Sequence, residues 1–272
     1  MIKFFDLEKQ DKSLHKSILH DIKKLFKRGD FILGKEVLKF EKNFAKFCES
    51  NYAISCANGT DALTIALKSL NLEKNSEVII PAMTYCSTAF SVINANLKPV
   101  LVDTEPFKPT IDASKIKKKI TSKTKVIMPV HLYGSAANLN AIKKIIKKNS
   151  IFLIDDCAQA HGTIDDSNTT YNKKIGSTAD ISCFSLYPGK NLGAYGDAGI
   201  ITTNNKKFYN MIKSLRNLGS TKKFIHDHIG VNSRLDTVQA IILNKKLKYL
   251  KKLNLKRRKI ANLYNKNILN DK

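Results

Sequence analysis

Lys190 stands in a loop punctuated by Pro188, Gly189, Gly193 and Gly196, between two short apolar runs. A lysine held among buried strands loses water. Lost hydration lowers its pKa, and the neutral amine can then attack a carbonyl, which is the chemistry of a Schiff-base lysine. Other polar residues follow the ends of other apolar runs. Asn58-Gly59-Thr60 leads from one run straight into a helical pattern. Such a turn presents free backbone N–H groups and a positive helix end, a seat for a phosphate, and Thr60 adds a hydroxyl. Asn58 or Thr60 would equally serve as a plain helix cap. Tyr85 follows the next run and can lie flat against a planar ligand or belong to the core. Asp155-Asp156 closes a further run, with Gln159 three residues beyond Asp156. A carboxylate there can hold a proton on a ring nitrogen, and Gln159 can donate to a ring oxygen. A single Asp in that place would read as a helix cap. His131 ends another run without specific meaning. Ser185 precedes Lys190 by five residues and reaches a phosphate if the loop curls back.

Together these residues specify a flat ring carrying an aldehyde, a nitrogen, a hydroxyl and a phosphate. Pyridoxal 5'-phosphate matches: Lys190 for the aldehyde, Asp156 for the nitrogen, Gln159 for the hydroxyl, and Gly59, Thr60 and Ser185 for the phosphate. No metal site is expected. The cysteines at 48, 56, 86, 157 and 183 are scattered without CxxC spacing and read as reduced core residues.

The elements that position these residues alternate. Strand-like runs cover Ala53–Ala57, Val78–Ile80, Val100–Val102, Val126–Val130, Ile151–Ile154, Ile181–Phe184 and Gly199–Thr202. Helical patterns fit between most of them, at Thr60–Leu70, Tyr85–Asn94, Ser114–Ile120 and Leu139–Asn149. Strands apolar on both faces and separated by helices predict an α/β fold with a mainly parallel seven-stranded sheet covered on both sides. Ligands of such sheets bind beyond the carboxyl ends of the strands, where the residues above fall. Two amphipathic helices precede the sheet. One spans residues 11–28, with Leu14, Ile18, Ile22, Leu25 and Phe26 inward; the other spans Gly34–Cys48, with Val37, Leu38, Phe40, Phe44, Phe47 and Cys48 inward. After Asp236 a long helix runs to about Tyr264, apolar at Val238, Ile241, Ile242, Leu247, Leu250 and Leu253.

The chain has 272 residues, with 47 Lys and Arg against 23 Asp and Glu, a formal charge of +24. Such a balance invites a nucleic-acid reading. Against it, only five of the basic residues are Arg, at 28, 216, 234, 257 and 258, and Arg is the usual choice for phosphate and base contacts. No nucleic-acid partner is expected. The start, MIKFFDLEKQDK, has no apolar signal core, and no stretch is long and apolar enough to span a membrane, so a cytoplasmic protein is expected.

Over roughly residues 30–265 the sequence resembles the DegT/DnrJ/EryC1/StrS sugar aminotransferases, within the fold-type I pyridoxal-phosphate enzymes. The stretches that carry the resemblance are FILGKEVLKFEKNFAKF, ANGTDALTIAL, EVIIPAMTYCSTAFSV, KPVLVDTEP, MPVHLYG, IDDCAQAHG, STADISCFSLYPGKNLGAYGDAGIITT and GVNSRLDTVQAIIL. The resemblance implies Lys190 as the cofactor's lysine and Asp156 as the ring-nitrogen partner, with Asp155, where the family often has Glu, as second choice. It also implies Ser185 and Thr60 on the phosphate, Tyr85 stacked on the ring, and Asn232 on the phosphate of a neighbouring subunit in a homodimer. The reaction it implies moves an amino group, commonly from glutamate, onto a keto group of a nucleotide-linked sugar. Within this fold a dehydratase branch replaces the lysine with histidine, and Lys190 argues against it. Ala198 stands where glycine is common, and Thr163–Lys174 is a polar hairpin or loop of variable type. On this pattern residues 1–235 form the N-terminal helices and large cofactor domain, and residues 236–272 lead toward a C-terminal domain that is expected to be truncated. The alternative reading is a catalytically impaired paralogue that binds cofactor or a partner without turnover.

Overall fold

A computed structural model describes residues 6–147, 149–167 and 173–268. The apolar runs form strands β1 (Tyr52–Cys56), β2 (Glu77–Pro81), β3 (Lys98–Val102), β4 (Thr124–Ile127), β5 (Phe152–Asp156), β6 (Ile181–Ser185) and β7 (Gly199–Thr203). They make one sheet in the order β1-β7-β6-β5-β4-β2-β3. β3, β2, β4, β5 and β6 pair in parallel, whereas β7 runs antiparallel to both β6 and β1. No helix lies between β6 and β7, so the chain turns back through the Lys190 loop and returns antiparallel. β4 stops at Ile127, short of the expected Val130, although Met128 still donates to Ile79 O (2.8 Å) and Val130 bridges Asp156.

Successive strand residues point to opposite faces, and each face has its own core. Ile79, Leu153 and Ile200 pack on one side; their neighbours Val78, Ile80, Ile154 and Ile201 pack on the other. This is why the strands read as unbroken apolar runs rather than as alternating ones. The first core is shared with α2 (Lys35–Cys48), α5 (Leu139–Ile146) and α7 (Thr237–Asn267). The second is shared with α3 (Gly59–Ser69), α4 (Cys86–Asn94) and α6 (Lys206–Leu215). The helix expected at Ser114–Ile120 is a single turn, Ala113–Ile116, followed by a 3-10 turn of three lysines.

α1 (His15–Arg28) stops at Gly29, whose left-handed backbone (φ 73°) lets its N–H reach Leu25 O at 2.9 Å. Leu14, Ile18 and Leu25 are buried as expected, but Phe26 is exposed beside Phe31, and Leu38 of α2 is exposed as well. Both lie at the margins of their apolar stripes. α7 crosses α1 and α2. Its first turn is fastened by Thr237 Oγ1, which accepts from Gly34 N (3.1 Å) and donates to Asp30 O (2.8 Å). Lys246 and Asp11 form a buried ion pair at 2.7 Å; losing one partner of such a pair costs about 3–5 kcal/mol. Ile241, Ile242 and Leu250 are buried, whereas Tyr249, Leu255, Ile260, Leu263 and Tyr264 of α7 are exposed.

In the segment expected as a polar hairpin or loop, Ile164–Asp165 pairs antiparallel with Lys173–Lys174; residues 168–172 lie outside the described residues. Four of the five cysteines are buried, but Cys86 is exposed at the start of α4. Among the described residues no helix is long and apolar enough to cross a membrane.

Candidate active site

The carboxyl ends of β1, β2, β5 and β6 open on a cavity of about 860 Å³, within the usual size of a cofactor site. Gly59, Thr60, Tyr85, Asp156, Gln159, Ser185 and Lys190, expected from the sequence, all line it. Asn232 does not. It is exposed in the segment before α7, where its backbone bridges Asn217.

Lys190 is half-buried, and desolvation lowers its pKa from the ordinary value, partly offset by the Asp156 charge. The loop that holds it is tight: Lys190 N donates to Tyr187 O (2.9 Å) and Ala194 N to Leu186 O (2.8 Å). A Cβ on Gly193 would overlap the Pro188 carbonyl, so only glycine lets the loop close.

Asp156 is the last residue of β5 and is 4 % exposed. Desolvation raises its pKa above the ordinary value, against the Ala158 amide and Thr88 hydroxyl that favour its anion. Ala158 N donates to Oδ1 (3.1 Å) and Thr88 Oγ1 to Oδ2 (2.8 Å). A buried carboxylate short of compensation gains from a cation placed against it. Asp155 points the opposite way, as the next residue of a strand must. It is fully buried, with Oδ2 3.6 Å from His131 Nε2. His131 Nδ1 accepts from Ala137 N (3.1 Å), so the ring proton sits on Nε2, facing Asp155. Cys157 also lies close, the three ligand-capable atoms falling within 4.8 Å of one another, but burial pushes its thiol well up. Asp155 therefore belongs to the core below the cavity, and Asp156 faces the cavity.

Gln159 Oε1 accepts from Tyr133 N (2.7 Å), which turns its NH₂ away from that amide and leaves it to donate elsewhere. Tyr85 is 71 % exposed, a rim residue rather than a core one. At the start of α3, the Asn58 side chain accepts from Asp61 N (2.8 Å) and its carbonyl from Ala62 N (3.1 Å). The cap and the phosphate seat thus coexist, because Asn58 satisfies Asp61 and Ala62 while the Gly59 and Thr60 amides have no partner among the described residues. A Cβ on Gly59 would come within 2.7 Å of Ser185 Cβ, so the glycine brings the helix start against Ser185.

Four supporting residues were not read from the sequence. Thr88 holds Asp156, and Ser87 accepts from Thr60 Oγ1 at 2.9 Å. Their position one turn after Tyr85, across from the phosphate seat, was the available signal. His161 Nε2 bonds Ser185 O (2.9 Å), so that nitrogen carries the proton, and Nδ1 is buried with no partner among the described residues. Asn254 of α7 donates to His161 O (2.7 Å) and accepts from Asn191 Nδ2 (3.1 Å), tying α7 to the residue after Lys190. No local pattern marks a contact made across the whole chain.

The model of the DegT/DnrJ/EryC1/StrS aminotransferase family matches residues 12–271. A dTDP-3-amino-3,6-dideoxy-alpha-D-galactopyranose transaminase of Aneurinibacillus thermoaerophilus is 44 % identical over 271 residues, covering 99 % of this chain and 73 % of the relative. The crystal structure of Streptomyces venezuelae DesV superposes with a TM-score of 0.92 at 34 % identity, over 97 % of this chain and 70 % of that one. NtdA from Bacillus subtilis, solved with the bound cofactor PMP, gives a TM-score of 0.88 at 30 % identity, over 97 % of this chain and 59 % of that one.

Proposed function

The chain belongs to the DegT/DnrJ/EryC1/StrS aminotransferase family, and from that membership we propose that it transfers an amino group, with glutamate as donor, onto a keto carbon of a nucleotide-linked sugar, using pyridoxal phosphate. The observation that carries the reading is the meeting of Lys190, Asp156 and the Gly59–Thr60 helix start on one cavity. The residues fit the cofactor by their chemistry. Two unpartnered amides and the Ser185 hydroxyl suit a phosphate, a carboxylate raised in pKa by desolvation suits a protonated ring nitrogen, and a lysine of lowered pKa suits an aldehyde. Pyridoxal phosphate, when bound, supplies an electrophilic carbon for amines and a ring that takes up electron density.

Within that arrangement each residue has a task. Asp156 keeps a proton on the ring nitrogen through a charge-assisted hydrogen bond, and Thr88 and the Ala158 amide fix its oxygens. Lys190 would hold the cofactor through its amine and, once freed, would carry a proton at Nζ. Gln159, with its carbonyl committed to Tyr133 N, donates to the ring oxygen. Tyr85 covers the open face. Residues 1–235 form the cofactor domain, and the helix from Asp236 walls the far side of the Lys190 loop. Asn232, exposed and outside its own cavity, completes the phosphate site of a second copy, so the working unit is a cytoplasmic homodimer. The reading of an inactive paralogue gains nothing from this site, since Lys190 has both the loop and the desolvation a nucleophile needs.

The test is direct. The purified chain should absorb in the visible with pyridoxal phosphate, borohydride should trap cofactor on the peptide holding Lys190, and glutamate should bleach the colour. A Lys190→Ala protein that still traps cofactor with borohydride would sink the assignment.

A further inference from the structure

Resting on that reading, we propose that Ser233 is a positioning residue for two phosphate seats at once. Its hydroxyl braces the Gly59–Thr60 helix start of its own chain, and its place in the chain sets Asn232 for the second copy.

The first seat lies between two bonds to one atom. Ala57 N, just past β1, donates to Ser233 Oγ (3.0 Å), and Ser233 Oγ donates to Asp61 Oδ2 (2.6 Å) in the first turn of α3. Asn58, Gly59 and Thr60 are the residues between those two anchors. Ser233 comes 176 and 172 positions after them, yet it is fully buried against them. A hydroxyl accepts and donates together, so one short side chain can fix both ends of the seat. Asp61 is also a carboxylate on the wall of the cavity, and Ser233 is the side chain that engages it among the described residues. An anion at the helix start meets that charge, so the place where the carboxylate is held matters to it.

The second seat follows from the course of the chain. Asn232 pairs with Asn217 as a β-bridge, and side chains on such a segment alternate between its two sides. Ser233 is accordingly buried while Asn232 beside it is exposed. The segment is fastened behind by Ser233 N, which donates to Arg216 O (2.9 Å), and by Arg234 Nη1, which donates to Asn217 Oδ1 (3.1 Å). The Ser233 hydroxyl fastens it in front, to the phosphate seat. A shift of Ser233 therefore moves the helix start and Asn232 together.

The experiment uses mixed dimers of two differently tagged chains, titrated with pyridoxal phosphate and reduced with borohydride. One chain carries Lys190→Ala, so cofactor is trapped only at Lys190 of the other. Ser233→Ala in the trapping chain should raise the pyridoxal phosphate needed for half-maximal trapping about 10-fold, the scale of a lost hydrogen bond to a charged group. Ser233→Ala in the Lys190→Ala chain should raise it at least about threefold, in step with Asn232→Ala in that same chain. A hydroxyl that merely supports its own fold acts only in the trapping chain. An effect confined to that chain would overturn the proposal, and so would no effect in either. Asp61→Ala serves if Ser233→Ala fails to fold. In the trapping chain it should weaken trapping, and Asp61→Asn, which keeps an oxygen for the hydroxyl, should restore it; equal trapping by all three Asp61 forms would overturn the proposal. A wild-type dimer that traps no cofactor at any concentration would instead refute the pyridoxal-phosphate reading on which the proposal rests.

Discussion

His161 gives the site a built-in sensitivity to acid. Its ring is buried between the Lys190 loop and α7, with Nε2–H on the Ser185 carbonyl at 2.9 Å and Nδ1 without a partner among the described residues. Burial, first, and then the charges of Lys190 and Arg257 lower its pKa from 6.5 to about 4, while the bond to Ser185 works the other way. A folded-state pKa below the unfolded one means that the unfolded chain binds the extra proton first. The stability His161 contributes is thus present above pH 6.5 and is lost as pH falls toward 4. A tenfold difference in proton affinity between the folded and unfolded chain is worth about 1.4 kcal/mol, so the loss reaches about 2 kcal/mol by pH 5 and about 3 kcal/mol by pH 4. Against a typical stability of about 5–15 kcal/mol that is a large share. The assay is urea unfolding at several pH values for wild type and His161→Gln, whose amide can still donate to Ser185 O but does not titrate. The stability difference between the two proteins should shrink by these amounts on acidification. A difference that stays constant from pH 7 to pH 4 would refute the reasoning, because it requires an imidazole that is as easily protonated folded as unfolded.

Asp156→Asn should keep the fold and some cofactor yet lose at least about 100-fold in the glutamate half-reaction; a near-normal rate by stopped flow would remove the ring-nitrogen role. Gly59→Ala sets a methyl 2.7 Å from Ser185 Cβ, and the forced shift of the helix start should weaken cofactor binding about 10-fold in an absorbance titration. An unchanged titration would mean the phosphate seat lies elsewhere. Asn232→Ala should reduce cofactor affinity and loosen the dimer in sedimentation, cofactor strengthening association in wild type only. Tight cofactor binding by a monomer, untouched by the substitution, would exclude a shared site.

Most of the cavity could be read from the chain because its residues sit at strand ends, and an apolar run announces its own end. Lys190, Asp156, Gln159, Ser185, Gly59 and Thr60 all follow such ends within a few residues. The direction of β7 could not be read, since an apolar run has none; only the missing helix before it hinted at a return. Tyr85 had two physical fates, and its exposure was decided by neighbours far along the chain. Asp155 and Asp156 were separable only as second and first choice, until the pleat turned one toward His131 and the other toward the cavity. Asn254 was invisible because its two partners lie 63 and 93 positions away.

The antiparallel return of β7 also sets an order of assembly. β1 lies at the sheet edge and pairs with β7 alone, Tyr52 against Thr203 and Cys56 against Gly199. The phosphate seat hangs from the end of β1, yet nothing in the sheet holds β1 until a strand made far later arrives. Closing so long a loop is slow, and pairing of this range belongs to the late part of folding. On a ribosome, the first quarter of the chain must wait for residue 203 to emerge before its helix start can be set beside Ser185. The two halves of the phosphate seat therefore meet late, only after β7 has been made and has inserted between β1 and β6.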